Sequence, residues 1–151
     1  MSTSRRSAEP RTKGEVHSHR DLLAWKRSYE LGLAIYRATA SFPADERFVL
    51  VSQLRRAGIS VASNIAEGRA RGSHKEFIRF LRIALGGLAE IDTQVRFAAD
   101  LDYLTPGQFA PLALGVDECS RLIQSLIGAV ARSQAATKRP LPTRRSPAPD
   151  T

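Results

Sequence analysis

The side chains whose type and spacing come nearest to a chemical task are the cations Arg55, Arg56, Arg69, Arg71, Lys75, Arg79 and Arg82. Lys75, Arg79 and Arg82 recur at i, i+4 and i+7, so one face of a helix presents all three. Charges of this kind beside a turn and a helix N-terminus suit phosphate oxygens. Six of them, Arg55, Arg69, Arg71, Lys75, Arg79 and Arg82, form the candidate nucleic-acid-binding set. With no aromatic platform for base stacking among them, the expected ligand is RNA or DNA backbone without sequence preference. Balanced by Glu46, Glu67 and Glu76, the same cations describe a solvated face equally well.

A second group, Arg56, Ser60, Ser63, Asn64 and Glu67, follows one stripe of the same region. As a structural device it would fix helix register, with Asn64 and Glu67 partly buried, hydrogen-bonded to a neighbouring helix, and Glu67 paired to Arg56. As an enzyme site it would need a cleft and a perturbed acid or base beside it. Other chemistry finds little support. His17, His19 and His74 fall outside the expected core, and no Glu-x-x-His pair of the kind that builds di-metal bundle sites occurs, so no metal or other cofactor is expected. Cys119 sits at a core position without a histidine near it and reads as an inert thiol. Nucleotide loops and nucleophile elbows are missing from the sequence. The expectation is a protein that is not an enzyme and has no small-molecule substrate.

Four helices must position these residues. Leu22, Trp25, Tyr29, Leu33, Tyr36 and Ala40 give helix 1, residues 21–41, an apolar stripe, with Asp21 capping its first turn and Phe42-Pro43 ending it. Helix 2, residues 46–67, carries Leu54, Ala57, Val61 and Ile65, with Gly68 expected just past its end in a left-handed conformation. The capping-box pattern Ser73-x-x-Glu76 opens helix 3, residues 73–101, whose Phe77, Leu81, Ala84, Leu88, Ile91, Val95 and Ala98 alternate 4 and 3. Thr105-Pro106 opens helix 4, residues 105–133, with Phe109, Leu112, Val116, Cys119, Ile123, Leu126 and Val130 as its core face. Short links between long helices predict an all-α, antiparallel up-down-up-down four-helix bundle.

Apolar area beyond one seam marks the expected oligomer interface: Leu31 and Ile35 of helix 1, and Phe80, Ile83, Phe97 and Leu101 beside the helix 3 seam. The net charge of +8 over 151 residues lies mostly outside the bundle. Residues 1–20 carry five basic and two acidic side chains, residues 136–151 four and one, and both read as disordered tails. A single cysteine, no apolar leader after Met1 and no apolar run near the roughly 20 residues of a membrane span point to a cytoplasmic protein.

Trp25-Lys26, Gln53-Leu54-Arg55-Arg56-Ala57 with Ser60, Asn64-Ile65-Ala66-Glu67-Gly68, and Phe77, Phe80-Leu81 and Ala84 resemble the small bacterial four-helix-bundle family of 23S ribosomal RNA intervening-sequence proteins. That family is similar in turn to the accessory variability determinant of diversity-generating retroelements. The resemblance covers roughly residues 21–131 and implies a non-enzymatic bundle that assembles into a homopentameric barrel. It further implies a basic surface associated with nucleic acid and reverse transcriptase. The sequence departs from the family's pattern at Gly86-Gly87-Leu88-Ala89-Glu90, where an extra glycine bears on contacts between helices or subunits. Beside the nucleic-acid adaptor stands an alternative, a purely protein-protein scaffold that partners a reverse transcriptase or assembles with itself.

Overall fold

The computed structural model describes residues 19–142, so most of both expected tails lies outside the described residues. Helix α1 spans His19–Thr39, α2 Ser52–Ala70, α3 His74–Asp100 and α4 Pro106–Thr137, and the described residues contain no strand. Arg55 meets Thr39 and Tyr36, while Gly58 packs on Gly32 and Ile35, so α1 and α2 run antiparallel. Gly68 against Phe80, Ser60 against Gly87 and Gln53 against Gln94 give α2 and α3 the same relation. Leu31 against Gly115 and Arg27 against Glu118 set α4 antiparallel to α1. The up-down-up-down bundle follows from these contacts.

Helix ends obey local chemistry. Ser73 accepts the Glu76 amide, and Thr105 with Gln108 completes a reciprocal capping box ahead of Pro106. At the end of α3, Asp102 takes a left-handed φ of 60°, which lets the Tyr103 and Asp102 amides donate to Ala98 and Ala99 carbonyls in a Schellman closure. Helix α4 runs to Thr137, past the expected stop and into the segment expected to be disordered. The α1–α2 connection holds a 3₁₀ turn, Ala44–Glu46, and a π turn, Arg47–Val51, where one regular helix was expected from residue 46. Glu46 makes this irregular start coherent: one carboxylate oxygen accepts from the Leu50 amide and the other from the Tyr103 hydroxyl. Burial, then that hydrogen bond, push the Tyr103 phenol above its ordinary pKa.

The core faces of α2, α3 and α4 are those expected, except that Phe77 and Phe109 are only partly buried. Helix α1 is rotated by about one residue from the expected face, which leaves Trp25 partly buried against the core. Its buried side carries Asp21, Ala24, Ser28, Leu31, Ile35 and Thr39, and Leu22, Tyr29, Leu33 and Tyr36 face solvent. Leu31 and Ile35, expected between subunits, are core residues at 5% and 1% exposure, and Phe80 joins them at 6%. Thr39 returns its hydroxyl to the Ile35 carbonyl, and Asp21 accepts the Leu22 amide, so polar groups enter the core satisfied at least in part. Asp21 therefore lies inside the helix instead of capping it.

Gly68 is helical and buried, and the left-handed glycine of the α2–α3 turn is Gly72, with φ of 77°. What Gly68 contributes is space: a Cβ there would stand 2.6 Å from the Phe80 Cβ.

Candidate nucleic-acid interface

The α2–α3 turn gathers five of the six candidate cations. Arg69 and Arg71 end α2, Gly72 reverses the chain, and Lys75, Arg79 and Arg82 follow within the first three turns of α3. The Phe80 ring organises part of this cluster: the Arg71 guanidinium stands 5.2 Å and that of Arg79 4.5 Å from its centroid. Because the ring itself is buried, it supports the guanidiniums from beneath and offers no surface for base stacking. Arg71 pairs with Glu67 at 2.8 Å and Arg79 with Glu76 at 3.0 Å. Hydrogen bonding to Arg79 holds the Glu76 carboxyl below its usual range, with Arg79, Arg71 and Lys75 charges adding to the effect. Arg69, Lys75 and Arg82 are exposed and form no ion pair among the described residues. A solvated face and a phosphate-binding face are thus interleaved, with two cations neutralised locally and three free.

Arg55 does not belong to the cluster. Fourteen residues before Arg69, it lies about 21 Å away along α2. Its guanidinium donates to Thr39 Oγ1 at 3.0 Å and lies 4.6 Å from the Tyr36 centroid, which makes it a bolt between α1 and α2. Sequence proximity placed it with the others; the length of the helix separates it.

The hydrogen bonds of the polar stripe stay within its own helix and cap. Ser60 donates to the Ala57 carbonyl and Asn64 to the Ser60 carbonyl at 2.8 Å, Ser63 and Arg56 face solvent, and Glu67 pairs with Arg71. The expected Arg56–Glu67 pair is absent because eleven residues of helix separate the two by about 16 Å, whereas Arg71 is one turn from Glu67. No hydrogen bond from Asn64 or Glu67 reaches another helix, so the cross-helix register role does not hold for them. A groove of about 540 Å³ between α3 and α4, with Leu88, Val116, Asp92, Asp117, Ser120 and Gln124 in its lining, includes none of the stripe. Burial pushes the Cys119 thiol up to about 11, against a smaller opposing effect of the Ser28 hydroxyl. Among the described residues, no three His, Cys, Asp or Glu side chains gather as metal ligands, and no helix is long and apolar enough to cross a membrane.

Antiparallel topology adds cations that sequence order had dispersed. The C-terminal end of α4 lies at the same end of the bundle as the α2–α3 turn, so exposed Arg132, Lys138 and Arg139 share it. Asp45, Glu46, Asp100 and Asp102 outnumber Arg37 and Arg47 at the other end. The bundle is therefore a charge dipole, basic at one pole and acidic at the other. Lys138 and Arg139, in the segment expected to be tail, reach this end through the length and direction of α4.

Fold and surface together define an all-α four-helix protein with one basic pole. Residues 20–125 match the 23S rRNA-intervening sequence protein family, and the chain belongs to it. A solved structure from Bacteroides thetaiotaomicron VPI-5482, described as a protein of unknown function from the S23 ribosomal protein family, is similar at 25% identity and a TM-score of 0.67. The similarity covers 72% of this chain and 98% of that one. A search of curated proteins gave no match.

Proposed function

We propose that this protein is a non-enzymatic, cytoplasmic adaptor that self-assembles and holds RNA or DNA backbone at the basic poles of its bundles. The observation that carries this reading is the cluster of Arg69, Lys75 and Arg82, exposed and without an ion pair among the described residues, beside the supported guanidiniums of Arg71 and Arg79. One such pole makes few phosphate contacts and binds weakly; an oligomer repeats it and multiplies the contacts by effective concentration. The family's name, which refers to 23S rRNA, agrees with a nucleic-acid setting.

The test is a binding titration of the full chain against structured RNA, single-stranded RNA and duplex DNA at two salt concentrations. Binding to all three with a common, steep salt dependence is expected. Replacing Arg69, Lys75 and Arg82 together by alanine should flatten the slope by up to about 0.9 for each lost duplex phosphate contact. Arg55→Ala should leave the slope unchanged. Absence of binding to any of the three at low salt would refute the reading.

The protein-protein scaffold is a second reading, favoured by the apolar side chains that α1 turns to solvent. A reverse transcriptase would be a partner of this kind.

A further inference from the structure

The pole opposite the cations carries the most exposed aromatic ring among the described residues. Phe48, in the π turn, is 84% exposed; Val49 beside it, and Phe97 and Leu101 at the end of α3, are each more than half exposed. Two cross-links set these segments side by side: Gln94 donates to Gln53 at 3.4 Å, and the Tyr103 hydroxyl to Glu46 at 3.2 Å. Val49 stands one turn before Gln53 and Phe97 one turn after Gln94, so in this antiparallel pair both lie one step from the same bridge toward the pole, with Leu101 a turn further on. Together they form an apolar patch on the order of a few hundred Å², the scale at which an exposed patch marks an interaction site.

The patch is held in place before any partner arrives. The π turn sends Leu50 and Val51 toward the core and sets Phe48 and Val49 outward, and turns of this kind occur most often at functional sites. Glu46 fixes the turn through the Leu50 amide and, through the Tyr103 hydroxyl, ties it to the α3–α4 link. An apolar surface already ordered in the free protein costs a partner little conformational entropy on docking.

The charges around the patch divide into those already engaged and those that are not. Arg47 lies over the Phe48 ring at 5.6 Å from its centroid, Arg96 pairs with Asp92, and Glu46 serves Leu50 and Tyr103. Further along the α2–α3 seam Arg56 and Glu90 stand at matching depth, just beyond the Gln53–Gln94 bridge, and offset each other. Arg37 belongs to α1, which is diagonal to α3 because each packs on α2 and α4. Asp45, Asp100 and Asp102 are exposed and form no ion pair among the described residues. The unengaged charge beside the patch is negative, which repels phosphate and favours a cationic partner.

We propose that the acidic pole docks a basic amphipathic helix of another protein. Leucine or aromatic side chains of that helix lie on Phe48, Val49, Phe97 and Leu101, and its lysines or arginines reach Asp45, Asp100 and Asp102. The surface shares no residue with the cation cluster of the proposed function and stands without it. With both in place, one bundle holds nucleic acid at one end and a protein at the other.

A dye-labelled synthetic amphipathic helix of leucine and lysine, and its leucine–glutamine counterpart, test the proposal when the full-length protein is titrated against them and fluorescence anisotropy is read. The leucine–lysine peptide should bind, less tightly as salt rises, and the leucine–glutamine peptide should bind more weakly. Phe48→Ser with Phe97→Ser should weaken binding by about tenfold or more, as loss of aromatic anchors does. Asp100→Asn with Asp102→Asn should reduce the salt dependence. Leu114→Ser, at an exposed position on α4, should change nothing. Phe48→Ser alone replaces the double variant should that one fail to fold. Absence of binding, equal binding of the two peptides, or binding indifferent to Phe48 and Phe97 overturns the proposal. So does a wild-type assembly that these serine substitutions dissociate to the 16.6 kDa chain, since a second copy then covers the patch. Nucleic-acid binding by the serine variants should equal that of the wild type, which keeps failure here distinct from failure of the proposed function.

Discussion

Gly68 and Phe80 set the spacing of α2 and α3 at the basic pole: a Cβ on the glycine would come 2.6 Å from the Phe80 Cβ, well inside contact distance. The same ring carries Arg71 and Arg79 above it. Gly68→Ala should therefore force the helices apart and lower stability by about 1–3 kcal/mol, as overpacking does. Urea denaturation measures the loss, and an unchanged midpoint would show that the pair has room.

Glu67→Ala should have almost no effect on stability. The Glu67–Arg71 pair is about half exposed on both sides and lies along one helix, where such pairs contribute under about 0.5 kcal/mol. A melting temperature equal to wild type is expected; a clear drop would restore the buried register role inferred from the residue pattern.

Asp102→Gly should stabilise the protein. An L-residue in the left-handed region is strained by up to about 1–2 kcal/mol, less for aspartate, and glycine fits the Schellman position without that strain. The expected gain is a few tenths to 1 kcal/mol, read as a higher denaturation midpoint.

Cys119 should resist thiol reagents in the folded protein at neutral pH and react fully in denaturant. Its thiol is raised from 9.0 to about 11, so the neutral form is favoured in the fold. The folded state then holds a proton that the unfolded chain gives up first. The associated stability is complete below pH 9 and is lost as pH rises through about 11. Rapid labelling of the native protein at pH 7 would contradict this.

How far the sequence discloses the fold differs from helix to helix. In α3 and α4 the buried positions are almost uninterrupted apolar residues at 3-4 spacing, and periodicity finds both helices and their faces. Helix α1 defeats it because its solvent side is the more apolar to the eye: two tyrosines and three leucines face outward, while an aspartate, a serine and a threonine face in. Burial of such small polar residues, of which Thr39 bonds to its own helix carbonyls and Ser28 finds no hydrogen-bond partner among the described residues, has no periodic signal. At the basic pole, local composition finds the turn cations but cannot separate Arg55, which needs the rise of α2, or add Arg132, Lys138 and Arg139, which need the direction of α4.

The order in which the helices touch also governs how quickly the chain can find this structure. Three of the four interhelical packings join neighbours in sequence across short links, and only α1 against α4 brings distant segments together. Loop-closure entropy is small for the first three and concentrated in the last. A chain of this kind has low contact order, and helical bundles with that property fold in microseconds to milliseconds. The docking of α1 on α4 is then the step that closes the fold, made by a helix whose inner face carries aspartate, serine and threonine among its apolar residues.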